Sequence, residues 1–324
     1  MCTAVGLRTK DFYFGRTLDL EFSYGEMVTL TPRKYSFNFR NGSSVNNHFA
    51  IIGMAHVVNN YPLYFDAVNE KGLSMAALNF VGNAYFYDEI KNMDNIAQFE
   101  FIPWILGQCS SVHQAREKIE NTNITNIPFS EELPVSQLHW IIADKDEAIT
   151  VECIREGIKV HDNPVGVLTN NPPFEQQMFM LNNYINLSPR SPQNNFSSKL
   201  QLNEYSRGMG ALGLPGDLTS QSRFVRACFT KLNSVCGKGE EESVNQFFHI
   251  MGTVSQTRGC CDLGKGHFEV TIYTSCCNAD KGIYYYTTYN NHQISAVDMH
   301  KEDLNGSALI KYPLFDSEQI RFQN

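Results

Sequence analysis

The apolar pattern of this chain changes period several times along its length, and that alternation narrows the fold more than any other feature. Runs rich in Val, Ile and aromatic residues at His48 to Gly53 and Gly72 to Asn79 read as strands. Two segments with helical spacing follow, Ile96 to Gln108 and Ser111 to Glu120, with Ser110 or Ser111 as the N-cap of the second. Strands resume at His139 to Ala143, Ala148 to Cys153 and Gly166 to Thr169. A second helical block covers Phe174 to Tyr184, Ser222 to Leu232 and Glu242 to Met251, each with apolar residues three and four apart. A late three-strand set then forms from Phe268 to Thr274, Gly282 to Tyr289 and Gln293 to Met299. Strand blocks alternating with helices imply a layered α+β sandwich. No repeat, low-complexity tract or charge block divides the sequence, so a single domain over residues 1–324 is expected, with Ser188 to Asn203 as a surface loop.

The N-terminus reads as a hairpin: Thr3 to Leu7 is one strand, polar Arg8 to Asp11 the turn, and Phe12 to Arg16 the return. A turn centred between residues 9 and 11 sets Cys2 opposite residues 17 to 19, flanked by Arg16 and Asp19. That placement has chemical content if Met1 is removed, as the small side chain at position 2 allows. Cys2 would then carry both a thiol, with an ordinary pKa of about 8.5, and an α-amine near about 7.7, a matched pair for proton transfer. At pH 7 an unperturbed thiol is only about 3% thiolate, so a cation such as Arg16 is needed to stabilise the anion, and Asp19 is placed to orient the amine. The competing reading is a small apolar residue opening an edge strand. Spacing alone does not choose between them.

Charge and cysteine usage remove several classes. A net charge of −8 opposes binding to nucleic acid or an anionic membrane, because phosphate recognition needs clustered Lys and Arg. No run of about 18 apolar residues exists, and Arg8, Lys10, Asp11, Arg16 and Asp19 interrupt any signal-like segment. A cytoplasmic protein with no stable membrane insertion is expected. The nine cysteines are odd in number and include the adjacent pairs Cys260-Cys261 and Cys276-Cys277, which suit reduced thiols better than a disulfide framework. Adjacent cysteines on a strand also point to opposite faces, which opposes a zinc site. Gly208 to Gly213 fits G-x-G-x-x-G, but no strand precedes it and Pro215-Gly216 cuts off the helix that a dinucleotide site requires. No papain-like signature surrounds Cys109, Cys153 or Cys228.

Ordered blocks along the whole chain carry a resemblance. Met1-Cys2-Thr3 and Phe14-Gly15-Arg16-Thr17-Leu18-Asp19 open it, followed by Asn69 to Leu73, Leu78-Asn79-Phe80 and Phe101-Ile102-Pro103-Trp104. Leu168-Thr169-Asn170-Asn171-Pro172, Gly213 to Asp217, Ser222-Arg223-Phe224 and Tyr284 to Tyr289 complete it. The sequence resembles the choloylglycine hydrolase family, which contains bile salt hydrolases and penicillin V acylases. The resemblance implies a four-layer αββα sandwich of the N-terminal nucleophile hydrolase type, a bacterial source, a homotetramer and no metal or cofactor.

By this resemblance Cys2 is the nucleophile, Arg16 and Asp19 tune its thiol and position its amine, Asn79 and Asn170 stabilise the oxyanion, and Arg223 is a cation in the polar network beside Cys2. Asn171 competes with Asn170, but strand alternation lets only one point inward, and Asn170 is chosen. Arg226, three residues beyond Arg223, is expected to be solvated on the surface. Thr17 departs from the Asn that many relatives carry and is expected to affect packing only. The implied substrates are glycine- or taurine-conjugated bile salts such as glycocholate and taurocholate. Asn79 favours them, since penicillin V acylases often have Tyr there. Leu20, Phe22, Tyr24, Tyr61, Phe65, Phe129 and Leu133 are candidate substrate contacts. Penicillin V acylase is the alternative activity, and a non-catalytic sterol-binding protein is a third reading.

Overall fold

The computed structural model describes residues 1–324. Its first element is the expected hairpin, Cys2–Arg8 against Phe12–Leu20, with Cys2 opposite Leu18 and Ala4 opposite Arg16. Gly15 is dictated by close approach: a Cβ there would lie 2.0 Å from the Ser275 carbonyl oxygen of the neighbouring strand. The hairpin sits inside a six-stranded antiparallel sheet, in the order 167–168, 2–8, 12–20, 270–278, 283–288, 291–298. A second antiparallel sheet has eight strands, in the order 157–162, 148–154, 138–143, 74–79, 61–69, 51–58, 27–31, 310–313.

Alternation along the strands of the larger sheet assigns its two faces. Ile52, Met54, Val68, Ala76, Leu78, Ile141 and Ala143 join one apolar core with the hairpin residues Ala4, Phe14 and Leu18. Ile51, Ala55, Ala67, Met75, Ala77, Trp140 and Ile142 join a separate core with the helices Phe101–Gln108 and Val112–Glu120. Phe224, Ala227, Phe247 and Ile250, from helices Ser220–Asn233 and Glu240–Gly252, pack into the first core. Both of these helices contact the hairpin strands. The layers are therefore helix, sheet, sheet, helix, as the resemblance implied.

Several elements differ from their sequence-based limits. The segment Ile96 to Gln108 is α-helical only from Phe101, after a 3-10 turn at Gln98–Glu100, because Asp94–Ala97 forms a parallel strand pair with Thr122–Thr125. Ser111, not Ser110, caps the next helix, accepting a hydrogen bond from the Gln114 amide. Phe174 to Tyr184 is α-helical to Met180 and then tightens into a 3-10 turn. The strand predicted from Phe268 is divided at Glu269: His267–Phe268 pairs with Asp262–Gly264, while Val270–Asn278 joins the main sheet. Its register shifts between Thr271 and Tyr273, opposite Asp19. This irregularity borders the site, a common location for one. The strands Met27–Thr31, Tyr61–Asn69 and Gly157–Asp162 were not anticipated.

Candidate active site

The N-terminal end of the first strand lies between the two sheets, and the cross-strand partners of Cys2 fix its surroundings. Cys2 is 2% exposed and Arg16 is fully buried. The guanidinium of Arg16 donates from Nη2 to Cys2 Sγ, from Nε to the Thr17 carbonyl at 3.1 Å, and from Nη1 to the carbonyls of Phe65, at 3.1 Å, and Ala77. Four of its five donors are thus committed, so its plane cannot rotate away from the sulfur. Burial works against its charge, but the neighbouring Cys2, Tyr273, Asp66 and Asp19 outweigh that and hold its pKa above the ordinary arginine value. A permanently charged cation thus lies against Sγ.

Behind Arg16 lies a buried carboxylate that sequence reasoning did not single out. Asp66 accepts from Tyr273 Oη at 2.6 Å, Tyr284 Oη at 2.7 Å and Ser275 Oγ at 3.0 Å. Burial raises its pKa, against the opposing influence of Arg16 and these three hydroxyls.

Asp19 is fully buried and is held from both sides. Thr271 Oγ1 donates to Oδ1 at 2.7 Å and Thr17 Oγ1 to Oδ2 at 3.1 Å. Burial pushes its carboxyl above the usual range, with Arg223 and the chain amine pulling the other way. The Asp19 backbone carbonyl accepts from the Met1 amine at 2.6 Å, and Glu269 forms an ion pair with the same amine. Thr17 therefore does more than pack: it also accepts from the Thr3 amide at 3.2 Å, linking the two hairpin strands beside the cysteine. No local signal marks Thr271 or Glu269. They reach the site only because a strand some 250 residues away in sequence pairs with the hairpin.

Asn170 and Arg223 close the other side. Asn170 Oδ1 accepts from the Cys2 backbone N–H at 2.8 Å and from Arg223 Nη2 at 2.8 Å, while its Nδ2 donates to the Asn79 carbonyl at 2.8 Å. Its carboxamide therefore orients the nitrogen that would become the free amine, and one of its two N–H hydrogens remains uncommitted. Arg223 also donates to the Cys2 carbonyl and, at 2.7 Å, to Thr3 Oγ1. Asn171 points away, donating to the Val81 carbonyl at 2.6 Å, so of the adjacent asparagines it is Asn170 that meets Cys2. Arg226 is not solvated: it is 9% exposed and donates to the carbonyls of Pro215, Asp217 and Thr253. It ties down the turn that follows the glycine-rich segment.

A cavity of about 480 Å³ opens from Cys2 and Asn79 between the sheets and the 129–138 loop. Leu20, Phe22, Tyr24, Phe65, Phe129 and Leu133 line it, as expected. Tyr61 does not. Its ring packs 5.9 Å from Phe99 and 5.8 Å from Phe129, behind the wall, because Phe129 covers it from the cavity side. Sequence reasoning missed Leu63, Phe99, Ile102, Val135, Leu138 and Trp140, and the polar lining groups His56, Gln98, Glu132 and Ser136. Phe99 and Ile102 flank or belong to the Phe101 to Trp104 block, which was the one available signal. A mostly apolar pocket with a buried thiol, an arginine and an asparagine at its floor can bind a large apolar acyl group and present its carbonyl to the sulfur.

A model of the linear amide C–N hydrolases of the choloylglycine hydrolase family matches residues 2–312. The bile salt hydrolase/transferase of Lactiplantibacillus plantarum is 55% identical over 319 residues, covering 98% of each chain. That of Clostridium perfringens is 39% identical over 96% of each. Among solved structures, the C2A mutant of conjugated bile acid hydrolase from Clostridium perfringens superposes with a TM-score of 0.92 at 36% identity over 100% of both chains. Penicillin V acylase from Agrobacterium tumefaciens shares the fold, with a TM-score of 0.77 at 18% identity over 98% of this chain and 92% of its own.

Proposed function

Because this chain belongs to the choloylglycine hydrolase family of linear amide C–N hydrolases, we propose that it hydrolyses the amide bond of glycine- or taurine-conjugated bile salts through Cys2 as an N-terminal nucleophile. The observation that carries this reading is the position of the Cys2 thiol: beside the Arg16 guanidinium, at the floor of an apolar cavity broad enough for a steroid. With Met1 removed, the Cys2 α-amine replaces the backbone N–H now held by Asn170 Oδ1.

The thiolate attacks the amide carbon, forming an S–C bond. The carbonyl electron pair moves to oxygen, where Asn79 and the free N–H hydrogen of Asn170 meet the charge. The tetrahedral adduct collapses as the C–N bond breaks, and the protonated α-amine gives its proton to the departing glycine or taurine nitrogen. Water, losing a proton to the same amine, then cleaves the thioester and releases the free bile acid. An amine in place of water at this step gives acyl transfer, the second activity in the names of the Lactiplantibacillus plantarum and Clostridium perfringens relatives. Arg223 holds the Cys2 carbonyl and Asn170, so the amine and the oxyanion donors keep one geometry. None of these steps calls for a metal or cofactor.

The chain acts in this reading as one cytoplasmic catalytic domain. We also assign it a homotetrameric state, supported by the large apolar side chains Phe179, Ile185, Phe196 and Tyr205, which are 75–85% exposed within one stretch of chain. Light scattering is expected to give about four times the 36.8 kDa of one chain; a monomer mass removes the assignment.

The test of the activity is amine release by the purified, reduced protein from glycocholate, compared with acyl cleavage of penicillin V. We expect kcat/KM to favour glycocholate by about tenfold or more, the scale on which an apolar pocket separates acyl groups. A ratio in favour of penicillin V would replace the bile salt reading with the acylase one.

A further inference from the structure

Neither the sequence motifs nor the proposed reaction uses His139, yet this fully buried side chain joins the segments that carry both asparagines of the site. It lies on the strand Leu138–Ala143, opposite Leu78, one residue before Asn79. Its ring stacks on Phe80, one residue after Asn79, with centroids 4.3 Å apart and planes 5° from parallel. Its Nε2 is 2.8 Å from the carbonyl of Thr169, the residue before Asn170. On the opposite edge Nδ1 is 3.1 Å from Glu152 Oε1. Leu138 and Trp140, on either side of it in the strand, line the cavity, whereas His139 does not and touches no reacting atom.

Both ring nitrogens therefore lie within hydrogen-bond distance of oxygens on neighbouring segments. Burial would raise the Glu152 carboxyl, but hydrogen bonds from His139, His161 and the Phe174 amide overcome that and bring it down to about 2. A buried ring held at both nitrogens is a stiff spacer, because breaking either hydrogen bond leaves a buried polar group unpaired.

We propose that His139 is a positioning residue that sets the spacing of the oxyanion donors, fixing Asn79 through the stack on Phe80 and Asn170 through the hydrogen bond to the Thr169 carbonyl. This rests on the assignment of Asn79 and Asn170 as oxyanion donors. Preorganised donors act only if held at the place where charge develops, and a displacement of about 1 Å can cost about 100-fold in rate.

Two substitutions separate the two kinds of interaction. His139→Phe keeps a flat ring for the stack and removes both hydrogen bonds; His139→Gln keeps a donor for the Thr169 carbonyl and loses the stack. Steady-state kinetics on glycocholate are expected to show kcat falling about 30- to 100-fold in His139→Phe, and about 3- to 10-fold in His139→Gln, with KM within about twofold of the parent in both. A histidine that merely supports the core would lower the amount of active protein without this dependence on the retained donor. The decisive readout is a cycle with Asn79→Ala. If His139 acts through the oxyanion donors, His139→Gln, which loses the stack beside Asn79, should change kcat by less than about threefold once Asn79 is gone, and His139→Phe, which loses the bond beside Asn170, by less than about threefold in an Asn170→Ala background. Should His139→Phe fail to fold, His139→Gln carries the Asn79 cycle. Full additivity of the two kcat losses, or an unchanged kcat in folded His139→Gln, overturns the proposal. An Asn79→Ala protein with undiminished kcat would instead remove the oxyanion assignment on which it stands.

Discussion

Cys2→Ala is expected to lower release of glycine from glycocholate by about a thousandfold or more while leaving the substrate bound. The sulfur is the only nucleophile at the floor of the cavity, and alanine keeps the strand pairing with Leu18 and the hydrogen bond from backbone nitrogen to Asn170. The lining that grips an acyl group does not include the thiol beyond its place at the floor, so binding should change little. Arg16 loses the partner of one N–H group but keeps its bonds to the Thr17, Phe65 and Ala77 carbonyls, with Asp66 close behind. The site is therefore expected to hold its shape. Amine release gives the rate, and titration calorimetry on the variant gives the Kd. Turnover within tenfold of the parent would mean that the reaction does not pass through Cys2.

A comparable and more specific effect is expected from blocking the α-amine while leaving the thiol in place. Inserting one leucine between Met1 and Cys2 prevents removal of Met1, because the residue after it is then bulky, and the Cys2 nitrogen stays an amide. An amide nitrogen has no basic lone pair, so it can neither accept the thiol proton nor return one to the leaving group. With Met1 present the nitrogen already spends its N–H on Asn170 Oδ1, and the chain amine lies one residue away, against the Asp19 carbonyl and Glu269. Loss of the general base alone costs about 100- to 10,000-fold, and the added residue crowds the entrance to the sulfur. Mass spectrometry establishes the N-terminus, and a thiol reagent establishes that Cys2 is intact. An extended protein with more than about a tenth of the parent turnover would show that an ordinary cysteine mechanism operates.

Local features of the sequence foretold much of this. A hairpin is a short-range object, so the register that brings Cys2 opposite Leu18, with Arg16 and Asp19 beside it, followed from the position of one turn. The faces of Leu138–Ala143 and the caps of the helices are equally local, set by a two- or four-residue repeat. Boundaries suffered where a distant partner competes with local preference. Asp94–Ala97 left its helix for a parallel pairing with Thr122–Thr125, and Glu269 interrupts what reads as a continuous strand. Arg226 illustrates the same limit for a side chain: helical spacing put it beside Arg223, but only the folded turn at Pro215 to Asp217 supplied carbonyls to bury it against.

The site divides in the same way. The residue types of the proposed reaction, a thiol that Met1 removal would set next to an amine, a cation on the returning strand and paired asparagines in recognisable blocks, were present in the linear chain. Their mutual geometry was not, because it depends on packing between segments far apart in sequence. Thr271 meets Asp19, Asp66 backs Arg16, His139 spans Phe80 and Thr169, and Phe129 shuts Tyr61 out of the cavity. Sequence by itself determined which chemistry the chain carries and the period of each element, since both are properties of neighbouring residues. Which carboxylates are buried, which donors remain free and what shape the pocket takes were decided only when the two sheets packed face to face, because burial and hydrogen-bond satisfaction are properties of the assembled layers.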